Sequence, residues 1–227
     1  MELAGRTLTI DVGRVAKQAN GAVLIHYGET VVLSTATASD KPRDGIDFFP
    51  LSVDFEEKMY AVGKIPGGFN KREGKPSEHA ILTSRVIDRP MRPLFPKDYR
   101  NDVSLNNLIM SVDPECNPEI PAMLGSSIAT CISDIPFAGP CATTQIGMVD
   151  GELVVNPTMA QRVLSDLQLT VASTREKVIM IEAGANEVPD DQMIEAIYKA
   201  HEVNQEIIAF FDKIIAECGK EKLTYES

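Results

Sequence analysis

The sequence predicts a mixed α/β fold in which β-hairpins are interleaved with a few helices. Three observations lead to this class. Short β-branched segments follow one another across two-residue turns, and longer segments have helical periodicity. No GxGxxG or Walker phosphate-binding motif is present, which argues against the doubly wound nucleotide-binding folds.

Strands are predicted where β-branched and aromatic residues alternate with polar ones. The dipeptide Asp150-Gly151 separates two of these segments and is typical of a tight hairpin turn. The predicted strands are Thr7–Val12, Ala22–Tyr27, Thr30–Thr35, Phe49–Phe55, Val103–Val112, Thr143–Val149, Glu152–Val155, Leu167–Ala172 and Val178–Glu182.

Three helices are predicted between and after these strands. The first begins with Ser77 as its cap or Pro76 in its first turn, and it ends near Asp88, because Pro90 cannot continue a helix. The second covers Glu119–Ile132 and is rich in small residues, which indicates close packing. The third covers Asp190–Cys218, with acidic residues in its first turn and Gly219 after its last.

Composition predicts one domain over residues 1–227. The chain is 44% hydrophobic, enough to bury a core, and no long polar or Gly/Pro-rich linker divides it. It has no 18-residue apolar run and no signal peptide, so no membrane partner is expected. Four widely spaced cysteines favour a reducing, cytoplasmic location over disulfides or a zinc site.

Charge is distributed unevenly along the chain. The whole sequence has a net charge of −11, but residues 64–100 contain nine Lys or Arg against four Asp or Glu, a net +5, which leaves −16 for the remainder. A local cationic segment on an acidic protein attracts polyanions. We therefore expect a phosphate-bearing polymer or ligand to bind there.

The cationic segment combines a loop with a helix. In the basic loop, Gly67–Lys75, one aromatic residue stands next to cations, a combination that suits a single strand by base stacking and phosphate contact. The alternative is a solvated loop followed by a helix with Arg–Asp88 ion pairs. The candidate binding residues are Phe69, Lys71, Arg72, Lys75, Arg85, Arg89 and Arg92.

Three ordered motifs carry a family resemblance: Lys64–Gly67 (KIPG), Phe69–Gly74 (FNKREG) and Ile87–Pro96 (IDRPMRPLFP). In order and spacing they resemble the first core half of bacterial polynucleotide phosphorylases. The resemblance extends over all 227 residues. It implies an RNase PH-like fold with mixed sheets, hairpins and a long C-terminal helix. It also implies a fragment of a longer enzyme that degrades RNA from 3′ to 5′, using inorganic phosphate to release nucleoside diphosphates.

In this family the catalytic set belongs to the second core half, which would bind phosphate and Mg²⁺. The matching positions here are 117–119 (Asn-Pro-Glu), Arg162, Gln168 and Thr170. A glutamate repels phosphate, a proline has no N–H to donate, and a cation and an amide do not replace Mg²⁺-binding carboxylates. No catalytic or metal-binding residue is therefore expected in this half.

The resemblance further implies a scaffold role in a homotrimeric ring, with the second half of the same chain as partner. Phe69, Lys71 and Arg72 would grip RNA in the ring's pore. Many relatives place a second aromatic residue at Asn70 and an arginine at Lys71, which puts the stacking strength in doubt. Two alternatives stay open: a free-standing non-catalytic subunit of an exosome-type ring, and a complete RNase PH-type enzyme acting on tRNA 3′ ends. The residues at 117–119, 162, 168 and 170 argue against the second.

Overall fold

Two separate β-sheets organise the computed structural model, which describes residues 1–67 and 73–225. Six strands form the first sheet: β1 (Glu2–Leu3), β2 (Arg6–Val12), β3 (Gly21–Tyr27), β4 (Thr30–Ala38), β5 (Leu51–Glu57) and β6 (Val103–Ser111). Their order is β1-β2-β3-β4-β6-β5, with antiparallel neighbours except for the parallel pair β5 and β6. The sheet contains the hairpin predicted from residues 22–35.

The second sheet is antiparallel. Its strands are β7 (Ala142–Val149), β8 (Glu152–Val155), β9 (Leu167–Ser173) and β10 (Val178–Ala185), in the order β10-β9-β7-β8. Asp150 and Gly151 join β7 to β8 with φ angles of 51° and 80°. A type I′ turn requires positive φ at both central residues, so the predicted hairpin turn is confirmed.

The described residues contain four α-helices: α1 (Glu78–Met91), α2 (Glu119–Ile132), α3 (Met159–Leu164) and α4 (Asp190–Cys218). The bounds of α2 and α4 agree with the prediction. Helix α3 was not predicted from the sequence. Its signal is a capping box, in which Thr158 accepts from the Gln161 backbone N–H and the Gln161 side chain accepts from Thr158.

Helix α1 corrects one prediction. Ser77 is its cap, as predicted, and its Oγ accepts the Ala80 N–H at 3.0 Å. The helix does not stop before Pro90, however, but continues through it to Met91. Pro90 sits in the last turn, where its missing N–H costs one hydrogen bond, and both Pro90 and Met91 are buried. The burial of this turn outweighs the lost bond.

Helix α2 packs against β3, β4 and β6 of the first sheet and β7 of the second. Thirteen of its fourteen residues are buried. A Cβ on Gly125 would lie 2.1 Å from Ser34 Oγ, so only glycine fits there. Ser126 Oγ donates to Asn107 Oδ1 at 3.0 Å, and Ser127 Oγ accepts the Cys141 N–H at 3.0 Å. The predicted close packing of this small-residue helix is confirmed.

Helix α4 covers the second sheet and also contacts α2. Its buried residues Ile207 and Phe211 belong to the same core cluster as the first sheet and α2, whereas Ala196 and Ala200 pack with a smaller cluster on the second sheet. Gly219 ends the helix in extended conformation. Within the described residues, every helix is too short or too polar to cross a membrane. The mixed α/β class is confirmed, and the single domain stays a prediction.

Candidate nucleic-acid interface and adjoining cleft

The predicted binding residues Phe69, Lys71 and Arg72 lie outside the described residues. Two further members of the set, Lys75 and Arg85, line a groove of about 470 Å³ between the end of β5 and α1. Both are exposed. The opposite wall of the groove is acidic, and its cation Lys58 pairs with Glu56 at 2.8 Å. The hydrogen bond from Lys58 lowers the pKa of Glu56.

The two remaining arginines have partners within the chain. Arg89 Nη1 contacts Glu182 Oε2 on β10 at 3.0 Å. Arg92 makes a bidentate pair with Asp88, at 3.1 and 2.8 Å. It also donates to the carbonyl oxygens of Phe49 and Leu51 at 3.1 and 3.2 Å. Asp88 therefore pairs with Arg92, four residues on, and the RNA-binding role of Arg89 and Arg92 stays a prediction.

A cleft of about 920 Å³ opens beside this interface. Its walls come from the end of β5, a 3-10 helix at Met59–Val62, the start of α1, the turn before α2, and α3. The residues at 117–119, Arg162 and Gln168 all line it, and Thr170 lines an adjoining cavity of about 390 Å³ together with Arg162 and Gln168. The structure thus brings together the positions that the resemblance matches to a catalytic set, and their lack of a catalytic role stays a prediction.

His79 is the centre of the cleft's hydrogen bonds. Its Nε2 lies 2.8 Å from Glu119 Oε1, and its Nδ1 lies 3.2 Å from Glu57 Oε1. Glu119 Oε2 also accepts from Asn117 Nδ2 at 2.7 Å and from Gln145 Nε2 at 3.2 Å. One carboxylate therefore joins α1, the turn before α2, and β7.

His79 was not among the site residues predicted from the sequence. Its partners Glu57 and Glu119 lie 22 and 40 residues away in sequence. No local spacing indicates such a set, because the contacts depend on how α1 lies against both sheets.

The cleft does not fit the groups that phosphorolysis requires. Pro118 and Pro121 have no N–H, and the N–H of Glu119 donates to Asn117 Oδ1 at 3.0 Å. Few donors are left for phosphate at the start of α2. Among the described residues no group of three His, Cys, Asp or Glu side chains converges on a metal position. Arg162, Gln168 and Thr170 do not fit Mg²⁺, which prefers carboxylate oxygens.

The charge of the cleft also disfavours an anion. Asp113 lines it, and its pKa is lowered, chiefly because its carboxylate accepts the Glu115 backbone N–H at 2.9 Å. Glu57 and Glu119 add two further carboxylates, whereas Arg162 comes from α3. The other lining cation, Lys58, is paired with Glu56, and much of the remaining lining is apolar.

Comparison with known proteins places the chain in a family. The sequence profile of the 3′ exoribonuclease family, domain 1, matches residues 4–136, and that of domain 2 matches residues 139–203. The chain is 79% identical over 227 residues to a polyribonucleotide nucleotidyltransferase of Lachnoclostridium phytofermentans and 63% identical over 227 residues to one of Ruminiclostridium cellulolyticum. It covers 32% of each, so it spans about a third of the length of these curated relatives.

A solved structure gives the fold independently. The crystal structure of rice Rrp46 superposes with a TM-score of 0.72, covering 92% of this chain and 95% of that chain at 13% identity. At this identity the likeness shows the fold alone, and it confirms the predicted RNase PH-like architecture. The predicted resemblance to bacterial polynucleotide phosphorylases is confirmed by the relatives. Because both family domains match in order, the chain belongs to the 3′ exoribonuclease family.

Proposed function

We propose that this chain is the first, non-catalytic half of a phosphorolytic 3′-to-5′ exoribonuclease that converts RNA to nucleoside diphosphates. The main support is the similarity to a polyribonucleotide nucleotidyltransferase. The chain is 79% identical to that protein over its whole length and covers 32% of it. The remaining length would supply catalysis, with inorganic phosphate as co-substrate and Mg²⁺ as the metal. The four free cysteines support the cytoplasm as its compartment.

The cleft supports the non-catalytic assignment. Its residues at the family's catalytic positions offer prolines, a carboxylate and a cation where phosphate and Mg²⁺ need N–H donors and carboxylates. Glu119 is already bonded to His79, Asn117 and Gln145. A reaction centre at this position would first have to break these bonds.

RNA contact is assigned to the basic segment. Phe69 would stack on a base while Lys71 and Arg72 meet phosphates, as single-strand binding requires. Lys75 and Arg85 support this surface, since both are exposed along one groove. Arg89 and Arg92 contribute least in this proposal, because their guanidinium groups have partners within the chain.

A scaffold role is supported by exposed apolar side chains around the clefts. Val62, Leu82, Met159 and Val163 line them and are 54%, 56%, 57% and 79% exposed. Exposed apolar groups near one another mark interaction surfaces. We assign this surface to the second half of the same polypeptide, and through it to a homotrimer. Val163→Asp should reduce concentration-dependent self-association in sedimentation, and Ile194→Asp on α4 is the control. A wild-type monomer across all concentrations would contradict the assignment.

A chimera tests whether catalysis requires the rest of the longer protein. This chain alone should release no nucleoside diphosphate from RNA in phosphate and Mg²⁺. Substituted for the matching segment of the Lachnoclostridium phytofermentans protein, it should give an active enzyme, because 79% identity preserves its contacts. Phosphate-dependent activity of the chain alone that survives purification and is lost in Arg162→Ala would overturn the proposal.

Salt dependence tests the RNA contact. Lys71→Ala with Arg72→Ala should weaken binding to any single strand and reduce the log–log salt slope by about 1.4, or about 0.7 per phosphate contact. Phe69→Ala should cost about 1–3 kcal/mol through lost stacking and leave the slope unchanged. Unchanged affinity in both the double variant and Phe69→Ala would remove the basic loop from the function.

A further inference from the structure

The first sheet has an inner face, which α2 covers, and an outer face with an apolar centre. Side chains alternate between the two faces along each strand. The inward-pointing Ile25 and Val32 are fully buried, and α2 packs on their strands. The outward-pointing Leu24, Leu33 and Leu108 are partly exposed. Within the residues that the structure describes, neither core cluster includes these three leucines.

The three leucines form one row across the sheet. Leu24 lies opposite Leu33 on β4, and Leu33 lies opposite Leu108 on β6. The row continues to Asp11 on β2, opposite Leu24, and to Glu56 on β5, opposite Leu108. Leu33 is therefore the middle of five residues on five neighbouring strands, with a leucine and then an acid on each side.

Each acid at an end of the row pairs with a cation of the same chain. Arg14 Nη1 lies 3.2 Å from Asp11 Oδ2 at the β2 end. Lys58 Nζ lies 2.8 Å from Glu56 Oε2 at the β5 end. Both ends of the row thus carry both signs of charge, and the row is complementary to itself when it is turned end for end.

We propose that the outer face of the first sheet binds a second copy of this chain about a two-fold axis that runs along β4 at Leu33. Such an axis places Leu33 on Leu33, Leu24 on Leu108, and Arg14 beside Glu56 of the other copy. A two-fold contact requires a face that is complementary to itself, whereas a contact with a different partner does not. The symmetry of the row about Leu33 therefore favours a second copy as the occupant.

The size of the face predicts a weak dimer. Five strands about 4.8 Å apart and seven residues of about 3.3 Å each give about 550 Å² per copy. Two copies would bury about 1,100 Å², which is at the low end for specific interfaces. The net charge of −11 on each copy also opposes association. We therefore expect the dimer population to rise with protein concentration.

A charge exchange tests the two-fold contact. All variants are made in a Val163→Asp background, which disables the surface assigned above to the second half. Arg14→Glu alone places Glu against Glu56 at both ends of the dimer, and Glu56→Lys alone places Lys against Arg14. A mixture of the two single variants restores opposite charges at both ends. Native mass spectrometry should show the heterodimer with an association constant about tenfold or more above that of either homodimer. A statistical mixture of the three dimers overturns the proposal.

A second variant tests the apolar centre in the same background. Leu33→Thr keeps a residue that is favourable in strands but removes the central leucine from both copies. Its dimer Kd in sedimentation should rise about tenfold or more. Ile181→Thr is the matched control, since Ile181 is an exposed residue on β10 of the second sheet, and its Kd should stay unchanged. Equal Kd values for the two variants, or a monomer at all concentrations in the Val163→Asp background, overturn the proposal.

Discussion

A charged side chain lies at each end of helix α2, one in an open cleft and the other against buried carbonyl groups. At its start, the Glu119 carboxylate lines an open cleft and is 19% exposed. At its end, the Lys222 ammonium reaches buried carbonyls from the tail that follows α4. An acid at the N-terminus and a base at the C-terminus each oppose the helix dipole favourably. The two charges differ in the groups that they bond and in their burial.

At the start of α2, Glu119 occupies the position at which a helix could bind an anion. A helix N-terminus attracts anions through its free N–H groups and its dipole. Here prolines at 118 and 121 remove donors, and the bound carboxylate of Glu119 brings a negative charge of its own. The position that the family resemblance assigns to phosphate is thus filled from within.

At the end of α2, Lys222 donates to backbone carbonyl groups that have no partner within the helix. Its Nζ donates to the carbonyl oxygens of Thr130, Cys131 and Ser133 at 3.1, 2.9 and 2.6 Å. Burial lowers the pKa of Lys222, since the ammonium loses water. The C-terminal charge thus completes the hydrogen bonding of the helix end, whereas the N-terminal charge links the helix to His79, Asn117 and Gln145.

The largest expected effect is therefore at the C-terminal end. Lys222→Met fills the same space but leaves three carbonyls without their donor, and should lower the free energy of unfolding by about 2 kcal/mol. Lys220→Met is the matched control, since exposed Lys220 donates to one carbonyl, that of Asn20. It should cost under about 0.5 kcal/mol. Urea titrations measure both, and equal losses would contradict the distinction.

Periodicity and turn chemistry predicted most of this fold from the sequence. Helix α4, Asp190–Cys218, was predicted with its bounds because residues at its own ends mark them: acidic residues in the first turn and a glycine after the last. Pro90 shows the limit of such rules: burial of the last turn of α1 decided the end of that helix. Helix α3 was missed because six residues are too few to establish a period.

The site was predictable to the extent that it depends on residue types at matched positions. Arg162, Gln168 and the residues at 117–119 do line one cleft. The bonds of His79 and Lys222 were beyond prediction, because each joins elements far apart in sequence through the packing of α1 or the tail. A side chain's partner in another element follows from tertiary geometry, which single-sequence patterns do not specify.

The next effect is at the N-terminal end and is smaller. Glu119→Ala leaves the amides of Asn117 and Gln145 without their shared acceptor, and should cost about 1 kcal/mol. Glu119→Gln keeps an acceptor and should cost less. Neither variant should be stabilised by inorganic phosphate in a thermal-shift assay, because the prolines still lack N–H groups. A phosphate shift in Glu119→Gln but not in the wild type would show that charge alone excludes the anion.

The smallest effect concerns pH at the C-terminal end, where the Tyr99 ring packs against Tyr225 of the tail at 5.0 Å. Burial, with a smaller contribution from Asp134, raises the pKa of Tyr99 to about 12. Above pH 10 the unfolded chain loses this proton while the folded chain keeps it, so stability falls as pH rises from about 10 to 12. Lys222 acts in the opposite sense, because its lowered pKa makes the folded state bind fewer protons than the unfolded one.

The Tyr99→Phe variant isolates the contribution of Tyr99. In urea titrations from about pH 10 to 12, its free energy of unfolding should fall less steeply with pH than that of the wild type. The exposed control Tyr198→Phe should follow the wild type. Parallel curves for Tyr99→Phe and the wild type would mean that Tyr99 ionises as readily in the folded chain as in the unfolded one.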